Sequence, residues 1–168
     1  MKQLRDASIE ALTQIISIIK DINQSQYVCV TQYSSSHMGN HVRHVVDHYL
    51  ALRSGLLTRT VNYNMRHRNS QMETDPKLAF STLEKICHWL QETDIEDDRI
   101  TIETEISVST TCNKTLTSTV SRELCYLINH TIHHAAYISV IARQLGLEVS
   151  KDVGIAPATN TYLRAVKV

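Results

Sequence analysis

No stretch of this 168-residue sequence reaches the eighteen or so consecutive apolar residues of a membrane span, so no transmembrane segment is expected. The opening MKQLRDASIEALTQIISIIKD scatters charges through its apolar positions, unlike the uninterrupted h-region of a secretory signal peptide. An excess of one charge is missing too. Lys plus Arg and Asp plus Glu number 17 each, with no basic or acidic tract, which argues against a nucleic-acid or anionic-membrane partner. The four cysteines, Cys29, Cys87, Cys112 and Cys125, form no C-x-x-C pair, so buried, reduced thiols in a cytoplasmic protein are expected. No internal repeat or low-complexity segment is present.

What is there reads as one soluble domain over residues 1–168, 42% hydrophobic and 20% charged. A chain of this size hides roughly 70% of its unfolded surface, enough for a real core. Leu4, Ala7, Ala11, Leu12, Ile15, Ile19 and Ile22 recur at three- and four-residue steps and predict an amphipathic helix from Lys2 to Ile22. A second predicted helix runs from Met38 to Thr58, with Ser35 or Ser36 as its N-cap. Residues 61–74 carry no period, and Asp75-Pro76 then signals a third helix reaching about Thr93. Ile100, Ile102, Thr104, Ile106 and Val108 alternate with polar residues and predict a strand, paired in a hairpin with residues 114–120. The fourth helix begins near residues 118–121 and stops at Gly146. The last twenty residues, with Pro157 and several threonines, read as an irregular tail. The fold class is therefore all-α: a four-helix bundle with a small β-hairpin insertion between helices three and four. The link between helices two and three, fully extended, spans roughly 45 Å. That exceeds the ~30 Å of a twenty-residue helix, so crossed connectivity is open to it.

Seven of the nine histidines lie in two short segments, 37–48 and 130–134. On the fourth helix His130 and His134 continue the stripe Leu124, Leu127, Ile138, Ile141, in slots the period reserves for buried side chains. Burying two imidazoles without partners costs several kcal/mol, whereas a metal satisfies one nitrogen of each ring. On the second helix His41 and His48 flank the apolar stripe, while His44 lies roughly 100° from Val45. Periodicity thus favours His48 or His41 as a third ligand. His37, His67 and His88 read as surface or helix-flank residues, and His133 as a neighbour of the pair rather than a member.

The segments G-N-H-V-R-H-V-V-D-H-Y at 39–49 and N-H-T-I-H-H-A-A-Y-I-S-V-I-A-R-Q-L-G at 129–146 resemble the DinB/YfiT-like superfamily of metalloenzymes. Y-N-M-R-H-R-N-S-Q-M-E at 63–73 and G-I-A-P-A-T-N-T-Y at 154–162 are similar to the linker and tail of one of its subfamilies. The resemblance implies a four-helix bundle of crossed connectivity and a divalent metal held by three histidines. Carried over by motif, these are His44, His130 and His134, with His48 the second choice on the second helix.

Three neutral histidines with an open fourth position suit a catalytic site for Zn(II), Ni(II) or Fe(II). The resemblance further implies a small-molecule substrate, with S-transfer from a low-molecular-weight thiol the leading activity. A metal-dependent hydrolase, or a non-enzymatic bundle that binds metal for stability or sensing and dimerises through helix faces, is the alternative. Peptidase chemistry is rejected, because H-T-I-H-H at 130–134 carries Thr131 where a zincin has its glutamate. Asp47 and Glu123 are acid–base candidates that default to solvated helix residues. Arg66 and Arg68 are candidates for binding an anion that default to an exposed loop pair.

Overall fold

The computed structural model describes residues 1–65 and 67–166; Arg66, named above as a candidate anion binder, lies outside the described residues. Four long helices carry the chain: α1 (Lys2–Ile19), α3 (Met38–Thr58), α4 (Pro76–Glu92) and α5 (Val120–Gln144). Two shorter ones join them, α2 (Gln24–Tyr27) and α6 (Pro157–Val166). Three strands, β1 (Thr60–Asn62), β2 (Arg99–Glu105) and β3 (Asn113–Thr119), form a small sheet in the order β1-β2-β3.

The periodic apolar faces account for the packing. Leu12, Ile15 and Ile19 of α1 are buried against α4 and α5, and Val42, Val45, Tyr49 and Leu52 of α3 enter the same core. Each long helix lies beside two others: α1 beside α4 and α5, and α3 beside α4 and α5. Helix ends follow local chemistry. The Asp75 carboxylate accepts from the N–H groups of Lys77 and Leu78 at 2.9 and 3.1 Å, ahead of Pro76, which lacks the donor that position leaves orphaned. Gly146 takes φ +77 just after α5, the left-handed conformation in which a Cβ is costly.

Several expectations are corrected. The first helix ends at Ile19, although Ile22 remains buried. The N-cap of α3 is His37, because Ser36 turns its hydroxyl to His41 instead. The 61–74 link is not featureless: β1 pairs in parallel with β2, Val61 opposite Ile102, and a 3₁₀ turn spans Gln71–Glu73. The β2 strand stops at Glu105, leaving Ile106 and Val108 exposed. The tail contains α6, which buries no residue and so shows no core-facing stripe. None of the cysteines is fully buried; all four are free, and Cys125 is exposed.

Close approach of the link to α3 is what positions the polar residues described next. A Cβ on Gly39 would collide with the Glu73 carbonyl, and one on Gly55 would meet Thr60 O at 2.7 Å. The two glycines let the link lie directly on the helix at both ends.

Candidate metal centre

Histidines of α3 and α5 meet across the contact between these helices. His44 and His130 bring their Nε2 atoms to 3.0 Å of each other. With His134, one ligand nitrogen from each ring lies within 4.8 Å of the others. Metal–nitrogen bonds of roughly 2.0–2.1 Å allow two donors on one cation to be no more than about 4.1 Å apart. The His44–His130 separation already satisfies that limit. The donor set, three uncharged imidazoles, suits a borderline divalent cation such as Zn(II), Ni(II) or Fe(II).

All three residues are half-buried, at the edge of the core rather than inside it. On α5 the buried line runs through Leu124, Leu127, Thr131, Ala135 and Ile138, so His130 and His134 sit beside the core stripe, not in it. Thr131 is bound up in the fold, its hydroxyl donating to the Leu127 carbonyl at 2.7 Å. The most buried histidine of α3 is His48, 4% exposed. Its Nδ1 hydrogen-bonds the His44 carbonyl at 2.9 Å, and its ring stacks on Tyr63. His48 still lies against the group, 4.5 Å centroid to centroid from both His44 and His130.

The surrounding imidazoles are coupled. His41 places Nδ1 3.0 Å from Nδ1 of His134, and its ring stacks on Tyr137. Burial, and then the neighbouring His130, His41, His133 and His48, pull the pKa of His134 down to about 3. His41 is lowered likewise, by burial first and then by His37 and His133. A ring held neutral at physiological pH keeps a lone pair available for a cation. His133 is exposed and touches His134 and Tyr137 edge-on. His37 caps α3, and His88 is exposed on α4.

Two acid–base candidates are not solvated. Asp47, 4% exposed, accepts from Arg43 Nη1 at 2.9 Å, while its other oxygen pairs with His67 Nδ1 at 2.9 Å. Arg43 also donates through Nε to Glu73 at 2.8 Å, and Glu73 takes a further bond from Asn40. This network ties α3 to the link. Glu123, 7% exposed, accepts from Tyr63 at 2.9 Å and from Ser118 at 2.6 Å. Burial and the Glu123 charge raise the Tyr63 phenol far above its usual range, so it remains a donor. Arg68 is exposed, as a loop residue would be.

Sequence reasoning offers His41 as a ligand rather than as the partner of one, and misses Tyr63, His67 and Tyr126, whose ring stacks on His130. The signal for His41 was its three-residue step from His44, which places both on one helix face. No comparable signal marks Tyr63 or His67, since the link has no period. Two grooves run beside α3, and one of them reaches His41, the neighbour of His134. One of about 620 Å³ is lined by Asp47, Ala51, Asn62, Met65 and His67 among others, the second, of about 380 Å³, by Ser36, His41 and Tyr137 among others.

Fold and site together define a class: a mostly helical protein in which two facing helices assemble three histidines able to hold a metal ion. More particularly, the chain belongs to the DinB family, whose profile matches residues 9–157. It is also 32% identical over 117 residues to FK506-binding protein 5 of Rhizopus delemar, a match covering 66% of this chain and 29% of that protein. The chain thus spans less than a third of the length of this curated relative. No helix among the described residues is long and apolar enough to cross a membrane.

Proposed function

We propose that this protein is a metal-dependent enzyme in which His44, His130 and His134 hold one divalent cation and the substrate is a low-molecular-weight thiol. The observation that carries the reading is the convergence of three imidazole nitrogens from two helices within 4.8 Å. The helix neighbours support a four-helix bundle of crossed connectivity beneath it, since consecutive long helices α1 and α3 share α4 and α5 as flanking partners. A cation held this way supplies Lewis acidity, lowering the pKa of a bound water or thiol.

The chain's own residues do the rest. His44, His130 and His134 offer neutral nitrogens, and Tyr63 and Tyr126 wall the centre against water by stacking on His48 and His130. The groove lined by Ser36, His41 and Tyr137, next to His134, receives the body of the substrate. With Thr131 committed to a main-chain carbonyl, the five-residue segment His130–His134 has no peptidase base. S-transfer to an electrophile is the favoured reaction, with hydrolysis the variant in which water replaces the thiol. A cytoplasmic location and a homodimer complete the reading.

The test is a screen of protein loaded separately with Zn(II), Ni(II) or Fe(II) against thiol and electrophile pairs, following thiol consumption. Metal-dependent turnover is expected. If no pair reacts and chelation unfolds the protein, the metal is structural and the bundle non-enzymatic.

A further inference from the structure

Nδ1 of His134 and Nδ1 of His41 face each other at 3.0 Å, so one proton lies between them. With Nδ1 of His134 engaged there, Nε2 is the atom left to join the Nε2 atoms of His44 and His130. An imidazole that gives its Nε2 lone pair to a cation carries its remaining proton on Nδ1. That proton points at His41, whose Nδ1 must then accept. The proton of His41 is consequently on Nε2, 2.8 Å from Ser36 Oγ, which accepts it.

We propose that His41 is the positioning residue of this metal centre, accepting from His134 Nδ1–H and donating to Ser36, so that it fixes the tautomer and ring orientation of His134. The inference rests on the three-histidine reading above. Three observations converge on it. Both hydrogen bonds have ordinary lengths. Stacking on Tyr137 at 5.4 Å and 9° holds the His41 ring in plane for them. Ser36 is itself fixed, its carbonyl accepting from Ser34 Oγ at 2.6 Å and its N–H reaching the same hydroxyl at 3.3 Å. Ligating histidines are commonly oriented by a carboxylate or a carbonyl. Here the acceptor is a neutral imidazole, which adds no negative charge beside the cation. The relay ends at a hydroxyl on the rim of the 380 Å³ groove, so the ligand is oriented from the substrate side of the helix.

The experiment compares full-length wild type, His41→Ala, His41→Gln and Ser36→Ala. Zinc affinity is measured by competition with a chromophoric chelator, and ring tautomers by ¹H–¹⁵N correlation spectra of the zinc-loaded protein. Wild type is expected to show His134 protonated at Nδ1 with that proton protected from exchange. His41→Ala should lose the protection and bind zinc about 10–100-fold more weakly, as removal of a ligand's hydrogen-bond partner typically does. His41→Gln, whose amide both accepts and donates, should recover most of that loss, and Ser36→Ala should lose less than His41→Ala. If His41→Ala fails to fold, the wild-type tautomer and His41→Gln decide. Zinc bound through Nδ1 of His134, or an affinity of folded His41→Ala within about twofold of wild type, overturns the proposal. Zinc binding by no variant, wild type included, overturns the three-histidine reading along with it.

Discussion

The two helices that meet at the histidine centre hold their polar residues in different ways. On α5, His130 and His134 are one turn apart and need only the helix itself to share a face. Beside them the buried hydroxyls of α5, Thr131 and Ser139, bond back to their own helix, and only Glu123, two turns before His130, is held from the link and β3, by Tyr63 and Ser118. On α3, the histidines have Arg43, Asp47 and the link residues Glu73 and His67 as neighbours, joined by ion pairs and hydrogen bonds across the chain. One half of the site is thus built by local geometry and the other by tertiary contacts. Each half is therefore vulnerable to a different kind of substitution.

The largest expected effects are on the ligands themselves. His130→Ala and His134→Ala should each abolish stoichiometric metal binding, a loss well beyond the roughly 10–100-fold typical of a supporting residue. Elemental analysis after exhaustive dialysis checks this, and a retained equivalent of metal would refute the α5 half. On α3, His44→Ala should weaken binding more than His48→Ala. The reverse order would make the more buried histidine the ligand.

That choice also shows what could be read in advance. The long helices were legible because their stripes report the core directly, and Asp75-Pro76 and Gly146 punctuated them. Periodicity reports burial, however, and the three grouped histidines are only half-buried, while the best-buried imidazole, His48, lies outside the group. The group sits at the edge of the core, so burial is a poor guide there. Motif resemblance singled out His44 where the period favoured His48 or His41. The β1 strand, three residues long, is too short to show alternation, and α6 buries nothing that would impose a stripe. Asp47 and Glu123 looked solvated because their partners, His67 and Tyr63, come from a link with no period of its own.

A smaller effect separates the two helices by stability. Arg43→Ala leaves the carboxylates of Asp47 and Glu73, only 3% and 13% exposed, without their cation. Stranding a buried charge in this way costs about 3 kcal/mol or more. The corresponding change on α5, Arg143→Ala, removes an exposed side chain bonded to Ser139 and to the Ser150 carbonyl, and should cost under about 1 kcal/mol. Urea unfolding of metal-free protein measures both. Equal losses would mean that the α3 network does not carry the tertiary burden assigned to it.

An effect absent at neutral pH comes last: a pH dependence in the metal-free protein, which grows only as the pH falls and resides on α5. The pKa of His134 falls from 6.5 to about 3 on folding, so the folded state resists protonating it. Above 6.5 the ring is neutral folded or unfolded, and its contribution is fully present. As pH drops below 6.5 the unfolded chain binds a proton that the folded chain does not, and stability declines until the pH reaches about 3. His134→Gln, neutral throughout, should remove this increment while leaving the carboxylate titrations common to both proteins. The difference in proton uptake on unfolding, near pH 5, should approach but not reach one proton, because the half-buried ring is partly screened by solvent. Parallel stability curves from pH 7 to 4 would show that His134 is not held neutral by its neighbours. In that case, the α5 pair would owe its geometry to the helix backbone alone, with no electrostatic cost for crowding five imidazoles together before a cation arrives.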